Sequence, residues 1–143
     1  MSHGGKAQNL KILSTIRGIH VPLFVVLTPS MSEDERAEIT RAFLETITSS
    51  TVAVRSSAAQ EDSAGASFAG MYTTKLHVPA TTTDVLASVR EVAASGTDKN
   101  AVLTHYYMSR GVALGDTSIS VVIQEMVDAD MSGVIFSHGL AEP

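Results

Sequence analysis

An arginine at the end of a predicted strand precedes a long run of small side chains. Arg55 follows the β-branched and apolar segment 51–54, and residues 56–70 after it are dominated by Ser, Ala and Gly. Small residues let backbone N–H groups approach an anion closely, and a guanidinium adds a positive charge beside them. The pattern predicts a phosphate clamp, although a solvated loop beside a surface arginine would have the same composition.

A second candidate anion site lies at the start of the chain. Gly4 and Gly5 precede Lys6 at a predicted helix N-terminus, where unpaired N–H groups and the helix dipole attract anions. This is not a P-loop, because that motif requires Ser or Thr after the lysine and Ala7 stands there. An ordinary helix start is the alternative interpretation.

Gln124 and Met126 lie near the end of a predicted strand, 119–127. Periodicity alone favours a methionine in the core and a glutamine that faces solvent. The functional alternative is a hinge segment whose backbone meets the edge of a base while the methionine packs on the ring.

Other chemistries find little support in the sequence. The five histidines show no i, i+4 pair, and the chain has no cysteine, no H-E-x-x-H motif and no G-x-S-x-G nucleophile elbow. Glu61 and Asp62 are neighbouring carboxylates inside the small-residue loop. Carboxylates in that position more often solvate a loop or cap the next turn than act as acid and base.

The elements that must position these residues alternate between helices and strands. Apolar spacing and turn-forming residues predict a short helix after the Gly4–Gly5 pair that breaks at Gly18, followed by a strand over 24–27. They then predict a helix over roughly 33–47 behind a capping box of Ser32 and Glu35, and a strand over 51–54. After the loop they predict a strand over 72–78 stopped by Pro79, a helix from Thr83 or Asp84 to near Gly96, a helix over 101–110, and a hairpin of 119–127 with 132–136.

Length and composition favour one domain over residues 1–143. Hydrophobic residues make up 44% of the 143 positions and charged residues 17%, against roughly a quarter charged in an average soluble domain. A net charge of −5 without basic blocks argues against nucleic acid and anionic membranes as partners. The longest apolar stretch, 21–27, is far shorter than the roughly 18 residues of a membrane span. With no cysteine and no secretory signal, we expect a cytoplasmic protein.

Three stretches of the chain, in this order, resemble the motifs of one family. They are G-G-K at 4–6 with V-P at 21–22, V-R-S-S-A-A-Q-E-D at 54–62 with G-A-S-F-A-G at 65–70, and Q-E-M-V at 124–127 with S-G-V-I-F at 132–136. The second stretch closely resembles the V-R-S-S-A-T-x-E-D…G-A-S-F-A-G signature of the phosphoenolpyruvate synthase and pyruvate phosphate dikinase nucleotide-binding domain. The similarity covers nearly the whole chain.

The resemblance implies an α+β, ATP-grasp-like nucleotide-binding domain with a mixed sheet and flanking helices, in which ATP lies between two lobes. It implies ATP contacts for five residues, which are Lys6, Arg55, Gly70, Thr74 and Gln124. The two cations would contact the phosphates, Gly70 would offer its backbone, and Gln124 would begin the hinge beside the adenine. In the complete family, ATP and Mg²⁺ serve to phosphorylate a histidine in a separate domain, and the phosphoryl group then passes to pyruvate or another acceptor.

The chain also departs from the family pattern. It has room for one helix between 28 and 52, where the family usually carries several, and Ala59 stands where the signature has Thr. The family's magnesium carboxylates, phosphohistidine domain and pyruvate-binding barrel have no counterparts here. We therefore expect a truncated domain without catalytic or metal-binding residues, with weak ATP binding at most and no turnover alone. The alternatives are a non-catalytic binding or regulatory module, a partial gene product that associates with a chain supplying the missing lobe, or a decayed fragment.

Overall fold

The computed structural model of the chain describes residues 5–57, 73–98 and 119–134. These residues form three helices and four strands, which are α1 (Gly5–Leu13), β1 (Phe24–Leu27), α2 (Glu33–Leu44), β2 (Thr51–Ser57), β3 (Thr74–Pro79), α3 (Thr82–Asp98) and β4 (Ser120–Glu125). The predicted helix 101–110 and most of the predicted loop 56–70 lie outside the described residues. Of the predicted strand 132–136, residues 132–134 are described and belong to no strand.

The four strands form one sheet in the order β1-β4-β2-β3, and each neighbouring pair is antiparallel. β1 and β2 run parallel to each other on either side of β4, and β3 and β4 run parallel on either side of β2. The expectation of a mixed sheet is therefore wrong for the described strands. Each helical crossover does join parallel strands, but the strand inserted between them makes every hydrogen-bonded neighbour antiparallel.

One face of the sheet, here called the core face, packs against α2 and α3. Its strand residues are apolar and buried, and they include Leu27, Val52, Val54, Val121 and Ile123. The helices cover them with Phe43 from α2 and with Val85, Val89 and Val92 from α3. Burial of these side chains is the main contribution to the stability of the fold, because the hydrophobic effect scales with the apolar area removed from water.

The beginnings of α2 and α3 show how local sequence fixes helix boundaries. The predicted capping box of α2 is confirmed: the Ser32 Oγ accepts from the Glu35 N–H at 3.2 Å, and the Ser32 N–H donates to Glu35 Oε2 at 2.7 Å. For α3 the predicted cap, Thr83 or Asp84, is wrong, whereas the predicted end near Gly96 lies close to the observed end at Asp98. The helix begins after Thr81, whose Oγ1 accepts from the Asp84 N–H at 3.2 Å. It continues through Gly96, since a glycine inside a helix costs only about 1 kcal/mol.

Strand and helix bounds near the candidate site also differ from the predicted ones. β1 coincides with the predicted strand 24–27, but β2 continues three residues further than predicted, to Ser57, because Ser56 and Ser57 pair with Val121 and Ser120 of β4. Arg55 is thus inside a strand and not at its end. α1 begins at Gly5, next to the predicted start at Lys6, but it ends at Leu13, before the predicted break at Gly18.

Candidate functional site

The second face of the sheet carries the polar residues that the sequence analysis singled out. Directly paired residues of neighbouring antiparallel strands share a face, and Arg55 pairs with Val122 of β4 and with Thr74 of β3. Gln124 pairs with Ala53 of β2. We call this side the α1 face, because α1 contacts β2 there. The predicted residues Arg55, Thr74 and Gln124 therefore lie together on the side of the sheet opposite the core face.

A cleft of about 190 Å³ lies between α1 and the sheet on this face. Its lining residues combine two cations with apolar walls, and they are Lys6, Asn9, Leu10, Leu13, Arg55 and Val122. The structure thus brings together the two candidate anion sites of the sequence, although 48 positions separate them. Complete small-molecule sites usually enclose about 300–1,000 Å³. The cleft formed by the described residues is smaller than this range.

Arg55 is oriented by the side chain of Gln124. Its Nη1 donates to Gln124 Oε1 at 3.4 Å across the β2–β4 pair. Among the described residues no carboxylate lies within ion-pair distance of this guanidinium. The described residues therefore orient the positive charge of Arg55 at the cleft through Gln124 and supply no ion pair to it.

The solvent-facing position favoured for Gln124 by periodicity is wrong. Gln124 is only 8% exposed, whereas Met126, for which periodicity favoured the core, is half-buried and lies beyond the end of β4. The reason is that β4 lies between β1 and β2 and its residues from Ser120 to Gln124 are all buried, so neither face of the strand is open to water.

A buried hydrogen bond connects the start of α1 to the end of β2. The Ala7 N–H donates to Ser57 Oγ at 3.0 Å, and both residues are almost completely buried. The first N–H groups of a helix have no partner within the helix, so Ser57 satisfies one of them from a distant strand. Sequence reasoning missed this role, because nothing local indicates a contact across 50 positions.

The remaining predicted site residues are less directly tied to the cleft. Thr74 lies in β3, directly opposite Arg55, and is exposed. Gly70 lies outside the described residues, as do Glu61 and Asp62.

Glu125 fixes the end of β4 next to Gln124. Its Oε1 accepts from the Thr48 N–H at 2.9 Å, the Thr48 Oγ1 at 3.2 Å and the Ser49 N–H at 3.1 Å. The backbone hydrogen bond from Thr48, followed by that from Ser49, lowers the pKa of this carboxyl below its ordinary value of 4.5. The carboxylate therefore attaches the segment after α2 to the strand that carries Gln124.

Neither a metal site nor a membrane span is found in the described ranges. No group of three or more His, Asp or Glu side chains there could hold a metal ion. No helix in the same ranges is long and apolar enough to cross a bilayer.

Residues 24–142 match the family model described as pyruvate phosphate dikinase, AMP/ATP-binding domain. The matched range includes Arg55, Gly70, Thr74 and Gln124, whereas Lys6 precedes it.

Several curated proteins are similar to the chain over most of its length. An uncharacterized phosphotransferase, YvkC, of Bacillus subtilis is 36% identical over 114 residues, or 79% of this chain. The phosphoenolpyruvate synthase of Pyrococcus furiosus is 41% identical over 86 residues, or 60% of this chain, and the rifampicin phosphotransferase of Bacillus cereus is 41% identical over 85 residues, or 59%. The matched segments make up 13%, 10% and 9% of these relatives, so the chain spans about a tenth of their length.

Proposed function

We propose that this chain, which belongs to the pyruvate phosphate dikinase AMP/ATP-binding domain family, binds ATP. In this proposal the nucleotide binds on the α1 face, and the chain acts as the ATP-binding part of a phosphotransferase of the phosphoenolpyruvate synthase and pyruvate phosphate dikinase type. The observation that carries the proposal is the shared cleft of Lys6 and Arg55, which lie on different elements and meet at one concave surface.

Lys6 and Arg55 are the residues that would contact the phosphates of ATP. A guanidinium can donate two parallel hydrogen bonds to a phosphate, and an ammonium adds a compact charge beside it. The chain as a whole is acidic, with a net charge of −5. Two cations at one cleft are therefore a local feature that favours an anionic ligand, and Leu10 and Leu13 add an apolar wall to it.

Three further residues complete the proposed site. Thr74, directly opposite Arg55 in the sheet, would offer its hydroxyl to the phosphates, and Gly70 would offer a backbone N–H. Gln124, whose side-chain oxygen accepts a hydrogen bond from Arg55, would begin the segment that contacts the adenine. These assignments follow the family motifs and agree with the common face on which Arg55, Thr74 and Gln124 lie.

The activity of a complete protein of this type goes beyond the described residues. We propose that such a protein uses ATP to phosphorylate a histidine in another domain, from which pyruvate or another acceptor takes the phosphoryl group. Phosphoryl transfer depends on metal charge and on positioning, and the described residues that carry this proposal, Lys6 and Arg55, account for contacts to the phosphates alone. The proposal for this chain is therefore limited to nucleotide binding. An ATP-grasp-like arrangement and a cytoplasmic location are parts of the same proposal.

A second candidate function is association with a polypeptide that supplies another lobe of the site. Apolar side chains along α1 and the turns after it are 39–53% exposed, and they are Ile12, Leu13, Ile16, Ile19 and Leu23. Clustered apolar exposure of this kind often marks an interaction surface. Sedimentation velocity over a range of concentrations tests this function, and a monomer that shows no tendency to associate with other chains of its enzyme system would contradict it.

The direct test of the first function is an ATP titration by calorimetry, extended to millimolar nucleotide, with and without Mg²⁺. We expect saturable binding that Arg55→Ala weakens at least about tenfold, because a hydrogen bond to a charged group contributes about 1.5–3 kcal/mol. Arg41→Ala removes the same charge from an exposed position on α2 and should leave the affinity unchanged. A folded chain that does not bind ATP, or equal affinities for the two variants, would contradict the proposal.

A further inference from the structure

We infer that Ser57 is a positioning residue of the nucleotide site, which holds the N-terminus of α1 so that Lys6 meets Arg55 at the cleft. The inference rests on the proposed function, and it concerns a residue that contacts the helix and not the ligand. Its basis is the buried hydrogen bond between Ser57 Oγ and the Ala7 N–H.

The placement of the two partners links the cationic residues directly. Ser57 lies two positions after Arg55, so the two side chains point to the same face of β2. Ala7 follows Lys6 in the first turn of α1. This hydrogen bond of 3.0 Å thus attaches Ala7, the residue after Lys6, to the strand that carries Arg55.

Loss of this hydrogen bond would destabilise the attachment of α1 to the sheet. Ala7 is completely buried, so its N–H would lack water as a replacement partner. The helix has nine residues and no acidic side chain in its first turn, and helices of that length are marginal without tertiary support. Residues 11–13 at its other end are exposed. The position of Lys6 therefore depends on how firmly the start of α1 is attached to β2.

The neighbouring Ser56 provides a matched control. It is also completely buried in β2, but it pairs with Val121 on the core face, and its Oγ has no hydrogen-bond partner within the described part of the chain. Replacing either serine by alanine removes the same atom from a buried strand position. Only the change at 57 removes an acceptor from α1.

The experiment is amide hydrogen exchange and ATP titration by nuclear magnetic resonance on the whole chain and on Ser57→Ala, Ser56→Ala and Ser57→Thr. We expect Ser57→Ala to speed exchange of the Ala7 amide about tenfold, the scale of a lost N-cap. Exchange at Val54 and Ile123 should stay as in the wild type. The dissociation constant for ATP should rise by a similar factor in Ser57→Ala and remain at the wild-type value in Ser56→Ala.

A double-mutant cycle separates positioning from general loosening. If Ser57 acts through Lys6, then Ser57→Ala should not weaken ATP binding further in a Lys6→Ala background, whereas independent effects would multiply. Multiplying effects would overturn the inference, and so would an unchanged Ala7 amide in Ser57→Ala.

The outcomes distinguish this inference from the proposed function. Absence of ATP binding by the wild type would overturn both, whereas wild-type binding with equal affinities for Ser56→Ala and Ser57→Ala would overturn only the role of Ser57. If amides throughout the sheet exchange faster in Ser57→Ala, that variant is destabilised as a whole. The role of Ser57 is then tested with Ser57→Thr, because threonine retains the accepting oxygen. Wild-type ATP affinity in that variant supports the role, and a tenfold loss contradicts it.

Discussion

The core face and the α1 face of the sheet use alternate residues of the same strands for different purposes. Val54 and Ile123 point towards α2 and α3 and pack in the hydrophobic core, while Arg55 and Gln124, one position further along each strand, form a polar pair on the other side. One face is held by apolar contact and the other by single hydrogen bonds between distant residues. The difference implies that stability and ligand binding can be changed separately at adjacent positions.

The largest effect is expected on the core face. Ile123→Ala should lower the free energy of unfolding by about 2–5 kcal/mol, because the fully buried side chain leaves a cavity among packed neighbours. Ile12→Ala makes the same change at a side chain that is 53% exposed and should alter stability by less than about 0.5 kcal/mol. Urea denaturation measures both, and similar losses for the two variants would show that the core face does not dominate stability.

On the α1 face the expected effect is on binding. Gln124→Leu keeps a similar volume but removes the acceptor of Arg55 Nη1, so the guanidinium is no longer held at the cleft. We expect ATP affinity to fall about fivefold to tenfold, with less than about 1 kcal/mol change in the free energy of unfolding. Gln8→Leu, at an exposed position of α1, is the matched control. Calorimetry and urea denaturation on the same samples test the separation, which a large loss of stability without a loss of affinity would contradict.

The N-cap of α2 tests whether a change of stability on the core face leaves ligand binding on the α1 face unaltered. Ser32→Ala removes the oxygen that accepts from the Glu35 N–H and should cost about 1 kcal/mol of stability. Because α2 packs on the core face, ATP affinity should not change. Ser32→Asp retains a capping oxygen and should recover most of the lost stability, as measured by thermal unfolding. Weaker ATP binding by Ser32→Ala would show that the two faces are coupled.

The smallest expected effect is on the stability of the protein at acid pH, and it involves Glu125 at the end of β4. Its pKa is lowered by hydrogen bonds from Thr48 and Ser49, so its contribution to stability is fully present above the ordinary value of 4.5 and is lost as pH falls through the folded-state pKa. Glu125→Gln should therefore reduce the drop in the thermal midpoint between about pH 7 and about pH 3.5. Part of the drop should remain, because hydrogen bonds with Ser32 also lower the pKa of Glu35. An unchanged pH dependence would contradict this role.

What the sequence could predict follows the same division between the faces. Strand 24–27, the capping box of α2 and the apolar positions of the core depend on local patterns, and the structure confirms them. Other features depend on contacts between residues that are distant in sequence. These are the hydrogen bond of Arg55 with Gln124, the contact of Ser57 with Ala7 and the order of the strands. Periodicity placed Gln124 in solvent because it assumes one exposed face, whereas β4 has neighbours on both edges and cover on both faces.

Family motifs supplied part of what periodicity could not. They singled out Arg55, Thr74 and Gln124, which the structure places on one face, and Lys6, which lines the cleft with Arg55. The V-R-S-S motif includes Ser57 but gave no indication of its role, because a residue that supports a site through another element has no chemical signature of its own.

The insertion of β4 between β1 and β2 has a consequence for how the chain acquires its structure during synthesis. β4 is the last of the described strands to leave the ribosome, yet it occupies the middle of the sheet, and its partners are as distant in sequence as Phe24, which pairs with Gln124. Such non-local contacts form slowly because a long loop must close first. Until β4 emerges, β1 and β2 each keep an unpaired edge, and the nascent chain presents a surface that chaperones bind and that other chains can join.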